Sequence, residues 1–195
     1  MMLALELTMQ SPAPPPALAH AEELEFEAVY AKYFNFVWRS LLRLGVRDAA
    51  AEDLAQEVFF IVHQRLHLYE GRSTLKTWIF GVVLGVVRNH RRAMARRKTK
   101  HALATPAQTL GTVEDPDDAL RAREAREILY ALLDELDESR REVFVMAELE
   151  QIPVVEIAEA LAENVNTVYS RLRQARIAFQ KAAARHRARD DWRKA

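Results

Sequence analysis

Apolar residues recur every three or four positions along most of this chain, and no segment alternates strictly between turn residues. That periodicity predicts helices and no strands. The first is Glu22–Leu44, with Leu24, Val29, Phe34, Val37, Trp38, Leu41 and Leu42 on a broad apolar face and Gly45 as its stop. The second is Ala49–Leu66, capped by Asp48, with Leu54, Val58, Ile61 and Val62 sharing one side. A third, long helix follows within Gly71–Lys100, started by Ser73 or Thr74, whose hydroxyl accepts a free N–H of the first turn. Its first half is apolar and its last turns are basic.

Thr99–Asp117 loses this period and is rich in Ala, Thr and Pro, so it reads as a flexible linker. Met1–His20, with its SPAPPPA run, reads as a disordered tail. Beyond the linker, Asp115-Pro116 opens a helix to about Leu133, and Asp137 or Ser139 opens another to about Glu150. Pro153 starts a short helix to Ala162, and Asn164 caps a last one from Val165 to about Arg189. Val168, Leu172, Ala175 and Phe179 form its inward side. Two helices joined by a tight turn, the second basic and carrying amides and hydroxyls outward, describe a helix-turn-helix. The expected architecture is all-α, with two small helical domains: 22–100 and 115–185, flanked by tails at 1–21 and 186–195 and joined by a linker at 101–114.

Charge changes this picture more than composition does. The net charge is zero, but residues 71–101 hold 9 basic and no acidic side chains, and residues 164–195 hold 9 basic and 2 acidic. Between them, residues 102–163 hold 16 acidic and 5 basic. Two basic blocks of this kind suit two polyanion-facing surfaces. On the second helix Asp53, Gln56, Glu57 and Phe60 project away from the apolar stripe. An aromatic among acceptors there reads either as a docking patch with an acidic rim or as a residue packed on a neighbouring helix. There are no cysteines, which excludes disulfides, thiolate metal sites and a Cys nucleophile. His63 and His67 have metal-ligand spacing without a third ligand, and no phosphate-loop or nucleophile motif occurs, so no metal, cofactor or enzymatic activity is expected. No apolar run reaches the roughly 18 residues of a membrane span, and no secretory signal is read, so a cytoplasmic, non-inserted protein is expected.

Taken together, AEDLAQEVFFIVHQRL, GRSTLKTWIFGVV with RNHRR, and LDESRREVFVMAELEQIPVVEIAEALAENVNTVYSRLRQAR resemble the bacterial extracytoplasmic-function sigma factors of the sigma-70 family. The resemblance implies sigma region 2 in the first domain and region 4 in the second. It implies that Asp53, Leu54, Gln56, Glu57 and Phe60 dock on the β′ clamp helices of core RNA polymerase, with the β subunit as a further contact. Arg72, Ser73, Lys76, Trp78, Arg88, Asn89, Arg91, Arg92 and Arg96 would then hold the −10 element of promoter DNA. Asn166, Thr167, Ser170, Arg171, Arg173, Gln174 and Arg176 would read the −35 element. An anti-sigma factor is an implied partner, and the implied function is promoter recognition and melting without covalent chemistry. The chain departs from the family pattern at Gly85, Asn89, Ala162, Asn166 and Tyr169; with no glycine in the helix-turn-helix turn, either a residue bearing a side chain adopts that conformation or the turn is built differently. Two other readings stay open: a helix-turn-helix regulator that never binds polymerase, and a sigma-like protein that only sequesters partners.

Overall fold

The computed structural model describes residues 25–98 and 116–194, so the expected tail at 1–21 and linker at 101–114 lie outside the described residues. Helices α1 (Phe26–Arg43), α2 (Asp48–Arg65) and α3 (Leu75–Lys98) form the first half; α4 (Pro116–Asp134), α5 (Glu138–Phe144), α6 (Val154–Leu161) and α7 (Val165–Lys194) form the second. No strand occurs among the described residues. A 3-10 turn at Leu66–Leu68 follows α2, and a π turn at Val145–Leu149 follows α5.

Local chemistry explains most boundaries. At the end of α1 the N–H of Gly45 donates to Leu42 O (2.9 Å) and that of Val46 to Leu41 O (3.0 Å), a Schellman closure with Gly45 at φ +87°. A Cβ there would also press on the end of the Arg141 side chain, which would have to shift. Thr74 caps α3: its Oγ1 accepts the N–H of Thr77 at 3.1 Å. Asp137 caps α5 by accepting the N–H of Arg140 at 2.9 Å. Burial acts to raise the Asp137 pKa, but the hydrogen bonds from Arg140 and Ser139 and the Arg140 charge outweigh it, so the carboxyl stays below its ordinary value. Asp48 is not a cap; Arg47 holds that position and Asp48 is the first helical residue. The segment predicted as one helix to Glu150 changes pitch at Val145, where the N–H of Glu150 reaches back five residues to Val145 O at 2.9 Å. The last helix runs through Lys194, past the end expected near Arg189.

In the first half Val37, Leu41, Val58, Val62, Ile79, Phe80 and Val83 are fully buried. The core does not stop at α3. It continues without a break into Leu133, Val143, Met146, Ile157, Val168 and Ala175 of the second half, where Phe144 and Phe179 stack at 4.6 Å. The two halves therefore share one packed seam, with α3 lying between α1 and α2 on one side and α6 on the other.

The turn of the helix-turn-helix carries strain that the sequence makes visible. Ala162 sits at φ 53°, ψ 42°, and closes α6 with Ala162 N–H to Glu159 O (3.1 Å) and Glu163 N–H to Ala158 O (2.9 Å). This is again a Schellman closure, with alanine where glycine carries no Cβ penalty. A left-handed L-residue costs about 1–2 kcal/mol, of which the looser unfolded chain of a glycine variant returns part. Ala162→Gly should therefore stabilise the protein by about 0.5–1 kcal/mol, seen as a Tm rise of roughly 1–4 °C in calorimetry with α-helical content unchanged.

Candidate functional site

Three surfaces carry the residues that the sequence singles out. On α2, Asp53, Gln56, Glu57 and Phe60 are all exposed, and Phe60 leaves 62% of its surface to solvent. Among the described residues Phe60 is therefore not buried against a neighbouring helix. Leu54 does not join this surface: it is buried in the α1–α2–α3 core, so its contribution is to hold the helix rather than to touch a partner. The adjoining Phe59 is buried among Phe26, Tyr30 and Phe34, with ring centroids 4.6–6.4 Å apart, which anchors α2 on α1.

The second surface is α3 with the loop before it. Tyr69 donates its hydroxyl to Ser73 O at 2.5 Å and its ring lies 5.7 Å from that of Trp78, fixing the loop against the helix start. Burial, then the nearby Tyr33 and Glu156, hold the Tyr69 phenol above its ordinary pKa, so it stays a donor. Arg72 is exposed beside Glu70. Asn89 Oδ1 accepts from Arg92 at 2.6 Å, and Arg92 also donates to Arg88 O at 3.3 Å. Arg96 is exposed near the helix end.

Lys76, Arg88 and Arg91, expected to face DNA, instead meet the second half. Lys76 Nζ lies 2.9 Å from Glu150 Oε2 and donates to Glu150 O at 2.7 Å. Arg88 donates from Nε and Nη2 to the two oxygens of Glu142, at 3.1 and 2.5 Å. That hydrogen bond raises the Arg88 pKa against the opposing effect of burial. Arg91 donates to Leu44 O and approaches Glu138 at 3.5 Å and Glu142 at 3.6 Å. Glu150 also pairs with Arg43. The sequence reading took these glutamates only as part of an acidic block. The signal that could have found them is charge complementarity between residues 71–101 and 102–163, which periodicity alone does not resolve into pairs.

The third surface is α6–α7. Asn164 caps α7, its Oδ1 accepting the N–H of Asn166 at 2.8 Å. Asn166, Thr167, Ser170 and Arg173 are exposed, and Arg173 has no ion-pair partner among the described residues. Arg171 pairs with Glu163 (3.2 Å), Gln174 accepts from Arg140 (3.0 Å), and Arg176 pairs with Glu148 (2.6 Å). These contacts fix the orientation of three side chains before any ligand arrives. Asn166, Thr167, Ser170, Arg171 and Gln174 line a shallow cleft with the start of α5. No helix among the described residues is long and apolar enough to cross a membrane, and none of them form a group of three or more side chains able to hold a metal ion.

Comparison with known proteins matches these halves separately. Residues 29–97 match the family Sigma-70 region 2, and residues 126–179 match Sigma-70, region 4. RNA polymerase sigma-H factor of Pseudomonas aeruginosa is 28% identical over 165 residues, covering 80% of this chain and 85% of that protein. ECF RNA polymerase sigma-E factor of Escherichia coli K12 is 26% identical over 165 residues, covering 81% and 86%. Among solved structures, the sigma factor RpoE of Bartonella quintana, in complex with the anti-sigma factor NepR, has a similar fold, with TM-score 0.63 at 18% identity over 82% of this chain and 96% of that one. CnrH in complex with the cytosolic domain of CnrY gives 0.60 at 19% identity, over 82% and 87%. With both regions matched in chain order and together spanning more than half of the sequence, the chain belongs to the sigma-70 family of RNA polymerase sigma factors, in its extracytoplasmic-function subfamily, and acts as an alternative sigma factor that binds core RNA polymerase and directs promoter recognition and transcription initiation.

Proposed function

We propose which residues carry that function. Asp53, Gln56, Glu57 and Phe60 dock on the β′ clamp helices, with Leu54 supporting them from the core. The loop at Arg72 and Ser73 and the helix bearing Lys76, Trp78, Arg88, Asn89, Arg91, Arg92 and Arg96 hold the −10 strand. Asn166, Thr167, Ser170, Arg171, Arg173, Gln174 and Arg176 read the −35 element in the major groove. Residues 22–100 act as region 2 and 115–185 as region 4. The protein works in the cytoplasm, performs no covalent chemistry, and has an anti-sigma factor among its partners, as the RpoE and CnrH structures each have a partner bound. Melting needs no catalysis, since a surface that binds one unstacked strand selectively pulls the duplex open.

The observation that carries this reading is Phe60, largely exposed at one end of a helix face that also bears Asp53, Gln56 and Glu57 and that the described residues leave uncovered. A plain helix-turn-helix regulator leaves that face unexplained. An interface with an apolar anchor and charged rim explains it directly.

Asp53→Arg should weaken association with purified core polymerase by roughly 2 kcal/mol or more, because it removes an attraction and adds a like charge against the basic clamp surface. Circular dichroism should be unchanged; equal capture of variant and unaltered chain by core would remove the docking assignment. Arg173→Ala should weaken binding of the full chain with core to −35 duplex by about 1–3 kcal/mol if the guanidinium pairs with a base edge, with the loss concentrated on one promoter position. An equal loss on every sequence would make Arg173 a phosphate contact, and no loss would take it out of the interface.

A further inference from the structure

Resting on the assignment of α7 to the −35 element, we propose that Tyr169 is a further specificity residue of that interface, whose ring takes the C5-methyl group of one thymine in the major groove.

Tyr169 lies in the second turn of α7 and is 56% exposed. Its hydroxyl makes no hydrogen bond, and its ring meets no other ring, among the described residues. Val168 before it and Leu172 after it are buried, so the core fixes the backbone here and leaves the ring outside. The other exposed side chains of these two turns, Asn166, Thr167 and Ser170, are all polar. Asn166 stands three residues before Tyr169 and Arg173 four after, so the three share one row of the helix. The first turns of a recognition helix are the ones that reach base edges. The ring therefore enters the groove between an amide and a guanidinium.

Those neighbours can donate to acceptors on the bases; the ring offers an apolar surface. Among base edges in the major groove, thymine is the one that presents a methyl group. A purine N7 or O6 against the ring face would lose water without gaining a donor, whereas the methyl gains by leaving water. The ring thus favours thymine and disfavours a purine at its position. A tyrosine has few rotatable bonds, so ordering it costs little. It needs no partner to hold it in place, in contrast to Arg171, Gln174 and Arg176, which Glu163, Arg140 and Glu148 hold.

The test removes the methyl group alone. The full chain on core polymerase is used to enrich bound duplexes from a random-sequence pool. The enriched −35 element is then rebuilt with deoxyuridine in place of each thymine in turn. One replacement should weaken binding about fourfold, the value of one buried carbon group, and the others should change it little. With Tyr169→Ala, thymine and deoxyuridine at that position should bind alike; Tyr169→Phe, which keeps the ring, should restore the difference. Helical content should be the same in all three chains. A −35 element in which no methyl matters, or a methyl effect that survives Tyr169→Ala, would overturn the proposal. So would an equal loss on every duplex for both Tyr169→Ala and Tyr169→Phe, which would make the hydroxyl a phosphate contact. Arg173→Ala in the same assay separates the two readings. If it weakens binding while no methyl effect depends on Tyr169, α7 still reads the −35 element and only the role of Tyr169 falls. If neither variant alters binding, the −35 assignment falls with it.

Discussion

A buried carboxylate has to be paired, and that constraint organises this protein. Glu142 lies in the fork of Arg88 and Glu150 between Lys76 and Arg43, both sealed from water by the contact of the two halves. The carboxylates are buried while Arg88 and Lys76 keep 43% and 36% of their side chains in solvent, so water screens the attraction in part, but a carboxylate left unpaired there would be expensive. The pairs therefore set the position of α5 and α6 against α3. The apolar seam from Val83 through Ile157 to Val168 supplies attraction but little register, since packed aliphatic surfaces tolerate sliding better than a two-bonded ion pair does.

Two local irregularities shape the second half of the chain. The π turn at Val145–Leu149 inserts one residue into the helix pitch ahead of Glu150, which pairs with the first half. The left-handed Ala162 then reverses the chain tightly enough for α7 to pack its Val168–Leu172–Ala175 stripe on the same core. Both departures from regular geometry fall in the connections of the DNA-reading half, where strain is retained because the surrounding packing determines it.

Most of the fold was legible in the sequence because helical periodicity and capping are local. Thr74, Asp137 and Asn164 act as caps, and of the two ways open to a turn without glycine the chain takes the one that puts Ala162 in the left-handed region. Asp48 misled because an acidic residue suits the first turn of a helix as well as its cap. Leu54 misled because one residue served both an apolar stripe and a family motif, and burial decides for the stripe. The pairing of α3 and its cap with Glu142, Glu150 and Glu156 was not legible: those contacts join residues 54 to 82 positions apart, and nothing in local spacing selects among sixteen acids in the middle block.

The most direct measurement of this account is a double-mutant cycle between Arg88 and Glu142, read by chemical unfolding of the full chain. If the ion pair fixes the seam between the halves, Arg88→Ala and Glu142→Ala together should cost less than the sum of the single changes, with a coupling of about 1 kcal/mol or more. Costs that simply add would contradict it, and would leave the two halves as neighbours rather than as partners.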